Sequence, residues 1–194
     1  MIAVFGGAFN PPTIAHYEVA KHILHLPLVE SLFFMPVGDH YEKAELIPAF
    51  HRMKMLEAMI TNDPNMSVSK IEIEAHRKLR TLETLEKLQI EFPEKMFAFV
   101  MGADNLSDLT GWYNYKTLIN RFKIIIINRG ELDVNQLIKE HFEFAVDNFL
   151  IVDNFLKMDI SSSQYRQDTT QSDLVHLEVE SYIKKHRLYQ NNHD

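Results

Sequence analysis

The stretch MIAVFGGAFNPPTIAH, residues 1–16, decides the fold and predicts where a ligand binds. An apolar run leads into Gly6-Gly7, which is the pattern of a buried strand that ends in a tight turn. A prolyl loop then enters an amphipathic helix with Thr13 as its N-cap and His16 in its first turn. Backbone N–H groups at a glycine turn and at a helix N-terminus can face an anion. The stretch therefore predicts a phosphate-binding site that Thr13 and His16 both face.

Short apolar runs alternate with helical patterns along the rest of the chain. The predicted strands are 2–6, 31–37, 67–74, 96–101, 121–127 and 149–152, with 67–74 near an edge of the sheet. The predicted helices are 13–26, 49–61, 81–92, 132–142, 161–167 and 174–186. Buried runs that alternate with helices are typical of parallel strands covered on both faces. We therefore predict a doubly wound, Rossmann-like α/β sheet with helices on both faces, in a single domain over residues 1–194.

Ligands in such sheets bind at the carboxyl ends of the strands. The polar or glycine-containing ends here are Gly6-Gly7, Val37-Gly38, Gly102-Ala103-Asp104 and Asn128-Arg129-Gly130. If the sheet is parallel, these segments converge on one crevice. The polar loop at 38–48 is also long enough to have a function.

Composition narrows the function further. The 194 residues are 46% hydrophobic and 24% charged, as in an ordinary globular protein, and they contain no cysteine, which excludes disulfides and thiolate chemistry. The net charge of −7 argues against nucleic-acid binding and means that an anionic substrate needs a local cluster of cations. We find no membrane-spanning run and no signal-peptide pattern, so we expect a cytoplasmic protein without a membrane partner. The oligomeric state stays open, a homo-oligomer included.

Neither a Walker A sequence nor a GxGxxG turn follows the first strand, so a P-loop enzyme and a conventional dinucleotide-binding dehydrogenase are both excluded. Residues 6–16, GGAFNPPTIAH, instead closely resemble the GG-x-F-[DN]-P-x-[HT]-x-x-H signature of the nucleotidyltransferases. Residues 160–166, ISSSQYR, resemble their second motif, I-S-[ST]-[ST]-x-x-R. Residues 99–104, 112–115 and 179–189 are similar to the GxD, W-Y-x-Y and Y-I…L-Y segments of the nicotinate or nicotinamide mononucleotide adenylyltransferases. The resemblance covers nearly the whole chain.

This resemblance implies a reaction. The 5′-phosphate of a pyridine mononucleotide attacks the α-phosphorus of ATP in line, pyrophosphate leaves, and a dinucleotide forms without a covalent enzyme intermediate. Mg²⁺ accompanies ATP, and no metal site of the protein's own is implied. Because the attacking phosphate is already ionised, catalysis reduces to positioning and charge stabilisation.

The sequence leaves more than one acceptor open. We favour nicotinate mononucleotide because the motifs look bacterial. Nicotinamide mononucleotide is the alternative, since residues 36–43, PVGDHYEK, also resemble a eukaryotic pattern. Transfer to pantetheine phosphate is a third option, and a nucleotide sensor without catalysis is a fourth. The sensor reading expects a broken motif, whereas Thr13, His16, Ser163 and Arg166 are all present.

The resemblance also assigns residues to roles. It gives catalytic roles to His16, Thr13 and Arg166, with His16 donating to the α-phosphate as charge develops. The implied ATP ligands are Gly6, Gly7, Ala8, Phe9, Lys43, Asp104, Ile160, Ser161, Ser163 and Arg166. The implied mononucleotide ligands are Asn10, Thr81, Trp112 and Arg129.

Simpler roles compete with several of these assignments. Thr13, Thr81 and Asp104 could be helix caps, Phe9 and Trp112 core residues, Lys43 a solvated charge and His16 a polar residue of its turn. Arg129 could face either the base or a phosphate. Two departures from the family pattern affect the site: Ala15 replaces the usual glycine before the histidine, and residues 76–80 lack the usual lead-in to Thr81.

Overall fold

One parallel sheet forms the centre of the computed structural model, which describes residues 1–43, 45–130, 132–153 and 160–190. The strands within these ranges are β1 Ile2–Gly7, β2 Ser31–Pro36, β3 Met66–Val68, β4 Phe97–Gly102, β5 Lys123–Ile127 and β6 Phe149–Val152. They pair in the order β3-β2-β1-β4-β5-β6, and every pair is parallel. The predicted doubly wound, Rossmann-like sheet is therefore confirmed.

Helices cover both faces of this sheet. They are α1 Ile14–Leu24, α2 Ala49–Met59, α3 Thr81–Glu91, α4 Tyr115–Arg121, α5 Val134–Phe142, α6 Ser162–Gln167 and α7 Leu177–His186. Successive side chains of a strand point to opposite faces, and β1 shows this directly. Ala3 and Phe5 pack with α1, α2 and α7, whereas Ile2 and Val4 pack with α3, α4 and α5. None of the described helices is long and apolar enough to cross a membrane.

The prediction for the third strand was wrong in its extent. Only Met66–Val68 pairs with β2, and beyond it the chain turns, with the Glu74 N–H donating to the Lys70 carbonyl at 2.9 Å. The ladder stops because β2 ends at Pro36, which has no N–H to donate. The turning segment instead crosses against Gly38, where an added Cβ would lie 2.1 Å from the Glu72 carbonyl oxygen.

The sequence prediction also missed a helix. Helix α4 lies where the sequence analysis predicts no helix, and its last residue, Arg121, falls at the start of the predicted strand 121–127. Its apolar residues Tyr115, Leu118, Ile119 and Phe122 have the i, i+3, i+4, i+7 spacing of a helix face, so the signal was present. The last helix, α7, begins at Leu177 and not at 174, because residues 172–174 form a separate 3₁₀ turn.

The strand order places a crevice at the end of β1. The chain passes from β1 to β2 and β3 on one side of β1, and it then crosses to β4, which pairs with β1 on the other side. In open α/β sheets this point of divergence is where ligands bind, outside the carboxyl ends of the strands. The glycines Gly6, Gly7 and Gly102 lie at these ends of β1 and β4.

Candidate active site

The two sequence motifs from opposite ends of the chain meet in one cavity of about 260 Å³. We call it the histidine cavity. Its lining residues are Ala8, Asn10, Ala15, His16, Lys43, Arg129, Ile160, Ser161, Ser162, Ser163 and Arg166. All of these except Ala15 and Ser162 are among the predicted catalytic or ligand-binding residues, and both exceptions lie within the quoted motifs.

Helix α6 is held against the loop after β1 by two direct hydrogen bonds. The Ser162 hydroxyl donates to the Pro11 carbonyl at 2.7 Å, and Arg166 Nη1 donates to the Asn10 carbonyl at 2.9 Å. Ser161 caps the helix: its hydroxyl accepts from the Gln164 N–H at 3.2 Å, and its own N–H donates to the Gln164 side chain. This capping box leaves the Ser163 side chain exposed at the cavity.

The bonding of His16 fixes its protonation. The backbone N–H of Thr13 donates to His16 Nδ1 at 3.0 Å, and an N–H group can only donate. Nδ1 is therefore unprotonated, and the ring proton lies on Nε2. Burial, and then the positive charge of Arg129, lowers the pKa of His16 to about 4. At neutral pH the cavity is thus lined by an uncharged imidazole that has one N–H donor left for a ligand.

Thr13 and Phe9 lie behind His16 and not in the cavity. Thr13 is fully buried as the N-cap of α1, with its hydroxyl oxygen 2.7 Å from His16 Nδ1. Phe9 is also buried, and its ring meets the His16 ring edge to face at 5.1 Å. Gly7 accommodates this ring, because an added Cβ would lie 2.9 Å from it. Thr13 and Phe9 therefore do not line the histidine cavity, and both side chains contact His16 from behind.

Positive charge is concentrated in the histidine cavity. Lys43, Arg129 and Arg166 line it, and none of its described lining residues carries a carboxylate. This is the local cation cluster that a chain with a net charge of −7 needs to attract an anion. Arg129 lies here beside His16 and is absent from the described lining of the cavity that contains Thr81 and Trp112. Outside the lining, Glu45 forms an ion pair with Arg166, with Oε2 and Nε 3.3 Å apart.

A second cavity of about 360 Å³ adjoins the first, and we call it the tryptophan cavity. Gly6, Gly7 and Ala8 form one wall, and Thr81 and Trp112 lie in its lining too. Trp112 is half-buried, with its ring against Phe99 at a centroid distance of 6.0 Å. Both Ala8 and Lys43 line the two cavities, so the spaces meet at the end of β1.

Thr81 is the first residue of α3, while the N-cap is Arg80, whose N–H donates to Glu83 Oε2 at 2.8 Å. The capping alternative for Thr81 therefore does not apply. A further opening of about 380 Å³ shares Thr81 and Trp112 and extends the tryptophan cavity outward along Arg80 and Tyr113.

Comparisons with known proteins agree with this arrangement. A cytidylyltransferase-like family model matches residues 4–168. A probable nicotinate-nucleotide adenylyltransferase of Caldicellulosiruptor bescii is 32% identical over 97% of this chain and 98% of its own length. One from Acholeplasma laidlawii is 32% identical over 98% of each chain. The chain belongs to the cytidylyltransferase-like family and, within it, to the nicotinate-nucleotide adenylyltransferases.

A solved structure of a named family member has the same fold. Plasmodium falciparum nicotinic acid mononucleotide adenylyltransferase complexed with APC superposes with a TM-score of 0.78 at 24% identity, over 97% of this chain and 96% of that one. This likeness agrees in fold with the family that the curated relatives show.

The resemblance implies substrate contacts for Asn10 and Asp104, and the structure gives the surroundings of both residues. Asn10, expected at the mononucleotide, lines the histidine cavity, and its buried amide bonds to the Glu45 carbonyl at 2.8 Å and the Tyr189 hydroxyl at 2.9 Å. Asp104, expected at ATP, is exposed and lies outside the described lining of both cavities. Its Oδ1 lies over Gly102, where an added Cβ would be 2.2 Å away. The N-cap of the 3₁₀ turn at 103–105 is Gly102, so Asp104 is not that cap either.

Two residues outside the ligand lists also matter to this site. Arg52, after His51, resembles a residue of a family pair, with a surface ion pair as the alternative. It is in fact fully buried and donates to the carbonyls of Ala8, Val37 and Ile47 at 2.6 to 2.9 Å, which ties the loops around both cavities together, so the surface alternative is wrong. The second residue, Glu72, was missed by the sequence reasoning. Glu72 lines the tryptophan cavity and accepts from the Thr84 hydroxyl at 2.8 Å. The alternating polar and apolar residues around Glu72 predict a strand, and they gave no sign that its side chain lines a cavity.

Proposed function

We propose that this chain transfers the adenylyl group of ATP to nicotinate mononucleotide, giving nicotinate adenine dinucleotide and pyrophosphate in NAD biosynthesis. One observation carries the proposal: a neutral histidine donor and three cations line a cavity that opens onto a second, aromatic one. The first suits the phosphates of ATP, and the second suits a pyridine base beside Trp112. Lys43 and Ala8 line both cavities, so the phosphate of the mononucleotide and the α-phosphate of ATP meet beside these two residues.

The reaction is a single displacement at phosphorus. An oxygen of the mononucleotide phosphate forms a bond to the α-phosphorus while the bond from that phosphorus to the bridging oxygen breaks, and pyrophosphate leaves with the electron pair. The attacking phosphate is already ionised, so it needs no base. The Nε2–H of His16 donates to an α-phosphate oxygen as the transition state develops, and Arg166 with Ser163 binds the departing phosphates.

Magnesium enters this proposal as part of the substrate. The described residues contain no group of three or more His, Cys, Asp or Glu side chains that could hold a metal ion. Mg²⁺ keeps several waters and binds readily through the phosphates of a nucleotide. The cavity residues Lys43, Arg129 and Arg166 then complement the charge that the metal leaves on those phosphates.

The decisive experiment compares acceptors. Purified protein is mixed with Mg-ATP and with nicotinate mononucleotide, nicotinamide mononucleotide or pantetheine phosphate, and pyrophosphate release is followed while mass spectrometry identifies the product. We expect nicotinate mononucleotide to give the highest kcat/KM. A large preference for either other acceptor overturns the substrate assignment. ATP binding without turnover on any acceptor supports the sensor instead of the enzyme.

A further inference from the structure

The chain returns from its last helix to the active site. After α7, Arg187 and Tyr189 both adopt left-handed backbone angles, with φ of 52° and 58°, which residues other than glycine rarely take. These turns bring the Tyr189 hydroxyl to Asn10, where it donates to Oδ1 at 2.9 Å across 179 residues of sequence. The Tyr189 ring also packs edge to face on Tyr165 of α6, with centroids 6.3 Å apart. None of the residue roles assigned so far uses this contact.

Asn10 connects three parts of the histidine cavity. Its Nδ2 donates to the Glu45 carbonyl at 2.8 Å, and its Oδ1 accepts from the Ile47 N–H at 3.4 Å as well as from Tyr189. Its backbone carbonyl accepts from Arg166 Nη1 at 2.9 Å. Two donors fix the oxygen end of the amide, so the nitrogen end must face Glu45. The bond from Asn10 Nδ2 to the Glu45 carbonyl holds the loop beside both cavities, and Lys43 lies on this loop two residues before Glu45.

We propose that Tyr189 is a positioning residue for the phosphate-binding end of the site: its hydroxyl orients the side-chain amide of Asn10, and through it the loop that carries Lys43. The inference rests on the proposed function for its kinetic readout. Burial raises the pKa of Tyr189 far above its ordinary range, so the hydroxyl keeps its proton and remains a donor. Arg52 independently binds the carbonyls of Ala8 and Ile47, so the loops stay folded without Tyr189.

The test removes one hydroxyl from each of two tyrosines in the C-terminal segment. Tyr189→Phe keeps the ring that packs on Tyr165 and deletes the bond to Asn10. Tyr182→Phe is the matched control, because Tyr182 is also half-buried and its hydroxyl lies 3.0 Å from His51 Nδ1, away from both cavities. We expect Tyr189→Phe to raise the KM for ATP about three- to tenfold, the size of one hydrogen bond, with a smaller change in kcat and in the KM for the mononucleotide. Tyr182→Phe should leave all three constants unchanged.

Two further measurements separate this inference from general destabilisation and from the proposed function. In an Asn10→Ala background, Tyr189→Phe should add no further change in KM; additive effects would overturn the inference. Calorimetric binding of pyrophosphate, which needs no turnover, should weaken in Tyr189→Phe by the same factor, with the Tm measured alongside to confirm folding. If Tyr189→Phe binds pyrophosphate as tightly as the wild type, the inference is wrong whether or not the chain turns over. If the wild type binds pyrophosphate but no acceptor reacts, the proposed function fails and the positioning role is still decided by the binding data.

Discussion

The backbone N–H of Thr13 donates to Nδ1 of His16 at 3.0 Å, and this bond sets which ring nitrogen carries the proton. The two residues are the N-cap and the third residue of α1, so the bond is also half of a capping box. A contact that begins the helix thus also turns the Nε2–H of His16 into the donor available to a phosphate. The same pair, Thr13 and His16, therefore begins the helix and sets the protonation of the site.

His16→Ala should lower kcat about 100- to 1000-fold, the usual effect of removing one donor to a charged transition state. The KM for ATP should change little, because Lys43, Arg129 and Arg166 remain to bind its phosphates. Steady-state pyrophosphate release measures both constants. His141→Ala, at an exposed position on α5, is the control and should behave as the wild type. Near-normal turnover in His16→Ala would show that its N–H does not act on the reacting phosphate.

Thr13→Val tests the second contact to the same nitrogen. Valine keeps the backbone N–H but removes the hydroxyl that lies 2.7 Å from Nδ1. We expect a loss of about 1 kcal/mol in the free energy of unfolding, since a buried hydrogen bond to His16 is removed, and about a three- to tenfold lower kcat. Urea unfolding and kinetics measure the two effects. Thr13→Ser retains the hydroxyl and should restore both; a Ser variant as impaired as the Val variant contradicts the hydrogen-bond explanation.

The lowered pKa of His16 makes stability depend on pH. The pKa falls from 6.5 in the unfolded chain to about 4 in the folded one, so the unfolded chain binds more protons between these values. Stability from this group is complete above pH 6.5 and is lost as the pH falls toward 4. At pH 5 the loss amounts to about 2 kcal/mol. Urea unfolding at pH 7.5 and pH 5 should show a smaller drop for His16→Asn than for the wild type. Equal drops would mean that His16 is not held neutral by the fold.

The sheet could be predicted from the sequence because its signals are local. Apolar runs such as 121–127 and glycine-marked strand ends follow from burial and turn geometry, which act on neighbouring residues. The extent of β3 could not be predicted, because it depends on Pro36 in the partner strand and on the close approach of Gly38 to Glu72. Both are contacts between segments that lie far apart in the sequence.

The candidate site also combines features that are local in the sequence with features that depend on distant contacts. The motifs identified His16, Arg166 and the serines because each motif is a short contiguous pattern around a turn and a helix start. They could not show which residues line the cavity: Thr13 and Phe9 have the right spacing but are buried behind His16. Asn10 looks like a ligand in sequence, yet its partners Glu45, Ile47 and Tyr189 become visible only when the chain is folded.

Glu45→Gln should tighten ATP binding. In the structure the Glu45 carboxylate lies 3.3 Å from Arg166 Nε and competes with a phosphate for that guanidinium. Because Glu45 is largely exposed, the pair contributes at most about 1 kcal/mol, so we expect a KM for ATP about two- to fivefold lower at low salt. The gain should disappear at high ionic strength. Glu42→Gln, on the same loop and exposed, removes the same charge without the contact. An equal decrease in KM for both variants would assign the effect to net charge alone.

Glu72→Gln should change how mononucleotide binding depends on pH. Glu72 lines the tryptophan cavity, and burial raises the pKa of its carboxyl above 4.5, against the opposing hydrogen bond from Thr84. As the pH rises through this raised pKa, the carboxyl ionises and repels an anionic mononucleotide, so the KM of the wild type should increase with pH above the usual titration range of a glutamate. The glutamine variant has no such charge, and its KM should increase less over the same range. Glu74→Gln, exposed and outside the described lining of this cavity, keeps the wild-type profile. The titration of the substrate phosphate affects the wild type and Glu72→Gln equally. Parallel profiles of KM against pH for the two proteins would therefore show that the carboxylate does not face the bound mononucleotide.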